Sequence, residues 1–155
     1  MRKIKKLYGA WDFKKDVVKN FYNHINKSVP LYKEGHQLIL KLSDFFLKEG
    51  SICYDIGCST SDLLISLKKY TNKKKVKFIG FDIEKDMIKA SKQNIRNLKI
   101  QNISVHNKDI CKVKLLKSDL VISSYTIQFI NPKKRQELVN KIYKSLNWGG
   151  CFVMF

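Results

Sequence analysis

Ser51-Ile52-Cys53-Tyr54-Asp55-Ile56-Gly57-Cys58-Ser59-Thr60 is the stretch on which the fold turns. A short apolar run that ends at an acid and a glycine reads as a buried strand. It is preceded by Glu49-Gly50, which stops a helix whose apolar residues Leu38, Ile39, Leu42, Phe45 and Phe46 recur at helical spacing. The loop Gly57 to Thr60 leads into a second helix through Leu63, Leu64 and Leu67. Next come a strand from Val76 to Phe81 that closes at Asp82, and a helix with Met87, Ile88, Ser91 and Ile95 on one face. Ile103 to His106 is a weaker strand and Leu120 to Ser123 a stronger one. Asn131-Pro132 opens a helix, with Asn as its N-cap and Pro in the first turn. That helix is expected to bury Leu138, Val139, Ile142, Tyr143 and Leu146 and to end near Gly149-Gly150, before a last strand over Cys151 to Phe155.

Alternating strands and helices with continuously apolar strands predict an α/β chain, a doubly wound, Rossmann-like parallel sheet covered on both faces. Residues 35–155 form this domain. Residues 1–34 stand outside the alternation, and their Trp11, Phe13, Phe21, Tyr22 and Tyr32 suit a helical cap over the ligand edge of the sheet.

The bulk numbers narrow the function. With 155 residues and 44% hydrophobic content the chain is one folded domain. No stretch approaches the roughly 20 apolar residues of a membrane helix, and no apolar signal core follows the basic start, so a cytoplasmic protein is expected. Cys53, Cys58, Cys111 and Cys151 show no CxxC spacing and no histidine partners, so no metal is expected. All but Cys58 sit in or beside apolar runs, where a free cysteine behaves as a small hydrophobe. His24, His36 and His106 form no recognisable dyad. The net charge of +18 would attract phosphates. Yet among the 31 basic residues only Arg2, Arg96 and Arg135 are arginines, and the lysines are scattered along the chain. Base and phosphate readers more often use arginine forks. Lys73-Lys74-Lys75 reads as a solvated turn rather than an RNA site.

Ligands of such sheets bind beyond the carboxyl ends of the strands. Gly57 lets the backbone approach a ligand there, and the helix start beyond it offers free N–H groups. With one glycine of a G-x-G-x-x-G pattern, the loop serves a dinucleotide pyrophosphate poorly; an amino acid joined to a nucleoside needs less. Asp82 at the second strand end can accept two ribose hydroxyls, or can simply cap the next helix. Asp109-Ile110, after the third strand, offers a carboxylate and an N–H for the amino edge of adenine, or is an ordinary Asp turn. Together these strand-end acids follow the order used by the class I S-adenosylmethionine (SAM) methyltransferases.

The flanking stretches are more particular. Ser28-Val29-Pro30-Leu31-Tyr32, Tyr54-Asp55-Ile56-Gly57-Cys58-Ser59, Tyr125-Thr126-Ile127-Gln128-Phe129, Arg135-Gln136, Lys141-Ile142-Tyr143 and Leu146-Asn147-Trp148-Gly149-Gly150 stand out. In these the chain resembles the bacterial carboxy-SAM synthase family, from about Trp11 to its last residue. The resemblance implies a homodimer that converts SAM and prephenate into carboxy-SAM and phenylpyruvate, with carboxy-SAM passed to a separate enzyme of tRNA wobble-uridine modification. It implies no direct nucleic-acid contact, no membrane and no metal. It places Tyr32 at the methionine end of SAM, Gly57, Cys58 and Ser59 in the loop, Asp82 and Ile83 at the ribose, and Asp109 and Ile110 at the adenine. Ser124 stands where the family usually has Asn. No catalytic base is assigned. Family members continue with a further helix and a strand hairpin, so a C-terminally short chain lacking the final strands is implied, without the family's carboxylate-clamping arginine. The alternatives are an ordinary SAM-dependent methyltransferase, a non-catalytic SAM-binding remnant and a basic RNA-binding module.

Overall fold

The computed structural model describes residue 18, residues 21–73 and residues 75–155. Trp11, Phe13 and Lys74 lie outside the described residues. Helices α1 (Phe21–Ser28) and α2 (Tyr32–Phe46), among the described residues, precede the alternating part. This runs β1 (Ile52–Ile56), α3 (Asp62–Tyr70), β2 (Lys77–Asp82), α4 (Lys85–Asn97), β3 (Ile103–Asn107), β4 (Ser118–Ser123), α5 (Pro132–Ser145) and β5 (Leu146–Met154). Short 3-10 turns at Ile110–Lys112 and Ile127–Phe129 follow β3 and β4.

The five strands are ordered β3-β2-β1-β4-β5 and every pair is parallel. From β1 the chain moves outward to β2 and β3, then returns to β4 on the other flank of β1. The order therefore reverses between β1 and β4, and a crevice opens at their carboxyl ends.

Strand alternation sorts side chains onto two faces. Cys53, Phe78, Leu120 and Ile122 join Ile39, Leu64, Leu67 and Ile88 in one core cluster, under α2, α3 and α4. Tyr54, Ile56, Val121 and Leu115 join Leu138 and Ile142 in the other, under α5. The sheet is covered on both sides, as its apolar strands predict. α2 continues unbroken through positions 34 and 35, so the expected cap and the sheet domain share one helix.

Two expectations change. α5 ends at Ser145, and Leu146 already belongs to β5. Lys117 Nζ donates to the carbonyls of Lys144 and Leu146, both at 3.1 Å, and satisfies that helix end without a glycine. Gly149-Gly150 instead lies inside β5, where the pairing slips: Ser118 faces Leu146, yet Leu120 faces Cys151. Five steps on β5 thus span two on β4, and Gly149 takes a positive φ of 74° within the bulge. The second change is Tyr143, which is 78% exposed, whereas Leu138 and Ile142 are each 1% exposed. The buried stripe of α5 is narrower than its apolar residues suggest. Phe45 of α2, at 82% exposure, likewise faces outward. The Asn131 cap holds as expected: its Oδ1 accepts the Lys133 N–H at 3.0 Å, with Pro132 in the first turn.

Candidate functional site

The crevice between the β1 and β4 ends deepens into a cleft of about 590 Å³, within the usual range of small-molecule sites. Its floor is the loop after β1. The N–H groups of Gly57 and Cys58 both donate to the Phe81 carbonyl, at 2.8 and 3.0 Å. The Ser59 N–H donates to Asp82 Oδ2 at 2.8 Å. These three loop N–H groups are spent inside the protein on the end of β2, apart from those of the helix start at Asp62 that the sequence offers to a ligand. What the loop can still present is carbonyl oxygen, an acceptor suited to an ammonium group. Gly57 is required here: φ is 79°, and a Cβ would lie 2.1 Å from Thr126 Oγ1.

Cys58 lines the cleft but is 5% exposed, with its Sγ packed over Gly80. Its thiol belongs to the core and burial pushes its pKa up. At this position only the backbone is available to a ligand.

Asp82 serves both roles open to it in the sequence. Its Oδ1 accepts the Glu84 N–H at 2.8 Å and so fixes the turn into α4, while Oδ2 braces the Gly57 loop. Each carboxylate oxygen has a second lone pair, so two hydroxyls can still be accepted. Burial raises the Asp82 pKa, and the N–H groups of Glu84, Ser59 and Ile83 oppose that rise. Asn107 Nδ2 donates to the carbonyls of Asp82 and Ile83, at 3.1 and 2.8 Å, and pins this turn to β3. Ile83 itself lines the cleft and is largely exposed.

On the next wall, Asp109 Oδ1 accepts the Cys111 N–H at 2.9 Å and caps the 3-10 turn, with Ile110 buried behind it. At the β4 end the Ser124 hydroxyl is buried, lines the cleft and has no hydrogen-bond partner. A buried, unpaired hydroxyl costs free energy unless a ligand or water meets it.

Tyr32, the first residue of α2, closes the opposite side. Its ring lies 4.3 Å from that of His36 and 5.6 Å from that of Tyr125 (centroid distances). Burial raises the phenol's pKa, with the charge of Asp55 second. Burial also lowers His36 to about 4, so its imidazole is neutral at pH 7. Phe21, Ile25 and Val29 of the α1 segment add an apolar rim at helical spacing.

Of the nine residues expected at a ligand from the sequence, Tyr32 stands across the cleft on α2, and the other eight stand at four strand ends, β1 to β4, and the turns after them. All nine line one cavity. The arrangement holds carboxylates for hydroxyl and amine donors, backbone carbonyls, a hydroxyl and aromatic faces. It suits a cationic amino-acid nucleoside.

Residues 47–154 match the model of the methyltransferase domain family. The chain belongs to that family. Its fold is shared with a SAM-dependent methyltransferase from Clostridium acetobutylicum, at a TM-score of 0.72 and 16% identity over 90% of this chain and 56% of that one. A SAM-dependent methyltransferase from Aquifex aeolicus gives a TM-score of 0.62 and 22% identity over 84% of this chain and 68% of that one. Among curated relatives, the carboxy-S-adenosyl-L-methionine synthase of Sulfurimonas denitrificans is 36% identical over 153 residues, 96% of this chain and 63% of the relative. That of Staphylococcus epidermidis is 32% identical over 145 residues, 93% and 62% respectively. The chain therefore spans about three fifths of the length of these relatives.

The cleft also holds Asp55, counted from the sequence among the strand-end acids but given no ligand role, and His36 and Tyr125, which the sequence did not place there. Asp55 is 2% exposed, and burial, with the Asp82 charge second, pushes its carboxyl up to about 7. It had a signal: an acid two residues before the loop glycine shares the strand end. His36 follows Tyr32 by one helical turn on the same face. Tyr125 gave less, because it reaches the cleft through a left-handed backbone, φ 54°, that no pattern announces.

Proposed function

We propose that the chain acts on SAM and prephenate, forming carboxy-SAM and phenylpyruvate. The observation that supports this most is the match of nearly the whole chain to relatives named carboxy-SAM synthase. The cleft supports the SAM half: Asp82 and Ile83 hold the ribose, Asp109 and Ile110 the adenine edge, and Tyr32 with the Gly57 loop the methionine end.

The chemistry is self-contained. Prephenate loses its ring carboxylate as carbon dioxide and its ring hydroxyl as hydroxide, and becomes aromatic as phenylpyruvate. The sulfonium acidifies its methyl group, which gives a proton to the hydroxide to form water. The carbanion left on that methyl carbon forms a bond to carbon dioxide, and carboxy-SAM results. The protein's part is to hold the two substrates together and exclude bulk water, for which the rim of α1 and the ring of Tyr32 are placed. The product would supply a separate enzyme of tRNA wobble-uridine modification, and the working form would be a homodimer.

The test is incubation of the chain with SAM and prephenate, followed by mass spectrometry for carboxy-SAM, beside an Asp82→Ala variant of confirmed fold. Product from the wild type and none from the variant is expected. SAM bound but unchanged would overturn the synthase reading in favour of a binding module. Methyl transfer to an added acceptor would overturn it in favour of an ordinary methyltransferase.

A further inference from the structure

Lys141, on α5, reaches across to the turn after β3. Its Nζ donates to the Ile110 carbonyl at 2.7 Å and to the Cys111 carbonyl at 2.8 Å, linking positions 31 and 30 residues apart. Lys141 is half-buried, and Leu138 and Ile142 near it on α5 are buried in the core, which fixes the helix that carries it. Both ammonium bonds are short and charge-assisted, the stronger kind of hydrogen bond.

Their effect passes along the backbone. The Ile110 carbonyl already accepts the Val113 N–H at 3.2 Å, so Lys141 fills its remaining lone pair. An ammonium on that carbonyl polarises the peptide between Ile110 and Cys111 and strengthens the Cys111 N–H as a donor. That N–H is the one held by Asp109 Oδ1 at 2.9 Å. The ammonium thus strengthens the bond that fixes the Asp109 carboxylate in place. The Ile110 N–H beside it is held in the same rigid turn.

We propose that Lys141 is a positioning residue for nucleobase choice, acting through the 110–111 peptide to aim Asp109 at an exocyclic amine. The proposal rests on the reading that adenine lies against Asp109 and Ile110. In place of an amine, a base with a ring carbonyl would set oxygen against the carboxylate and be rejected.

The test uses titration calorimetry with S-adenosylhomocysteine and S-inosylhomocysteine, which differ at that exocyclic group and at the adjoining N1, an acceptor in adenine and an N–H in hypoxanthine. The wild type prefers the adenosyl compound. Lys141→Met narrows the preference about tenfold, the scale of one lost charge-assisted hydrogen bond. Lys141→Arg, which keeps two donors, recovers most of it. Should the methionine variant not fold, Lys141→Gln, which keeps an uncharged NH2 but loses the ammonium, serves for the same comparison. A lowered melting temperature with an unchanged preference would make Lys141 a mere structural tie and overturn the proposal. A wild type that binds neither compound would instead overturn the SAM reading itself, so the two failures are told apart.

Discussion

Gly57→Ala is the sharpest perturbation that the fold offers. The added methyl would lie 2.1 Å from Thr126 Oγ1, 2.6 Å from its Cγ2 and 2.8 Å from its Cβ. Thr126 is not free to swing aside at no cost, since its hydroxyl donates to the Ser124 carbonyl at 3.1 Å. The left-handed φ costs an alanine about 1–2 kcal/mol, and forcing a methyl into a filled space costs about 1–3 kcal/mol more. The sum, roughly 2–5 kcal/mol, lowers the melting temperature of a chain this size by roughly 4–20 °C. Because the clash falls between the β1 and β4 ends, SAM binding is lost along with stability. Scanning fluorimetry with and without SAM reads both effects. Thr126→Gly removes all the clashing atoms, so Gly57→Ala made in that background costs only the backbone part, about 1–2 kcal/mol. An equal cost in both backgrounds would refute the steric argument.

Other outcomes follow from the buried groups. The raised carboxyl of Asp55, about 7, keeps a proton in the folded chain that the unfolded chain releases, between about pH 4 and pH 7. Its contribution to stability therefore falls as pH rises through that window. Asp55→Asn should melt above the wild type by a margin that grows from about pH 5 to pH 8, and a margin flat with pH would contradict its burial. On α5, Leu138→Ala should cost about 2–5 kcal/mol in urea unfolding, whereas Tyr143→Ala should stay within about 0.5 kcal/mol. Equal losses would mean that the helix is turned the other way.

β1, β2 and β4 were legible because strands buried on both faces leave continuous apolar runs. β3 read more weakly for a physical reason: only Val105 in it is buried. The end of α5 was misread since Gly149-Gly150 looks like a helix stop, while the true stop is made by Lys117 from a distant segment. Exposed Tyr143 and Phe45 show the limit of periodicity, which marks apolar spacing but not the width of the neighbour that covers it. For the cleft, acids at strand ends could be found by position alone. The spent N–H groups of the Gly57 loop could not, since their partners, Phe81 and Asp82, lie on another strand. Lys141 was noticed only as part of a family-like stretch, because its contact with the turn after β3 exists only in the folded chain. No helix among the described residues is long and apolar enough to cross a membrane.

The central claim is that the cleft at the β1–β4 switch binds SAM through Asp82. Titration calorimetry of SAM into the wild type and into a folded Asp82→Ala variant measures it directly. Binding at one site per chain, lost or weakened at least tenfold in the variant, is predicted, since a charged acceptor of two hydroxyls is removed. Equal affinity in the two proteins, or no binding by the wild type, would contradict it.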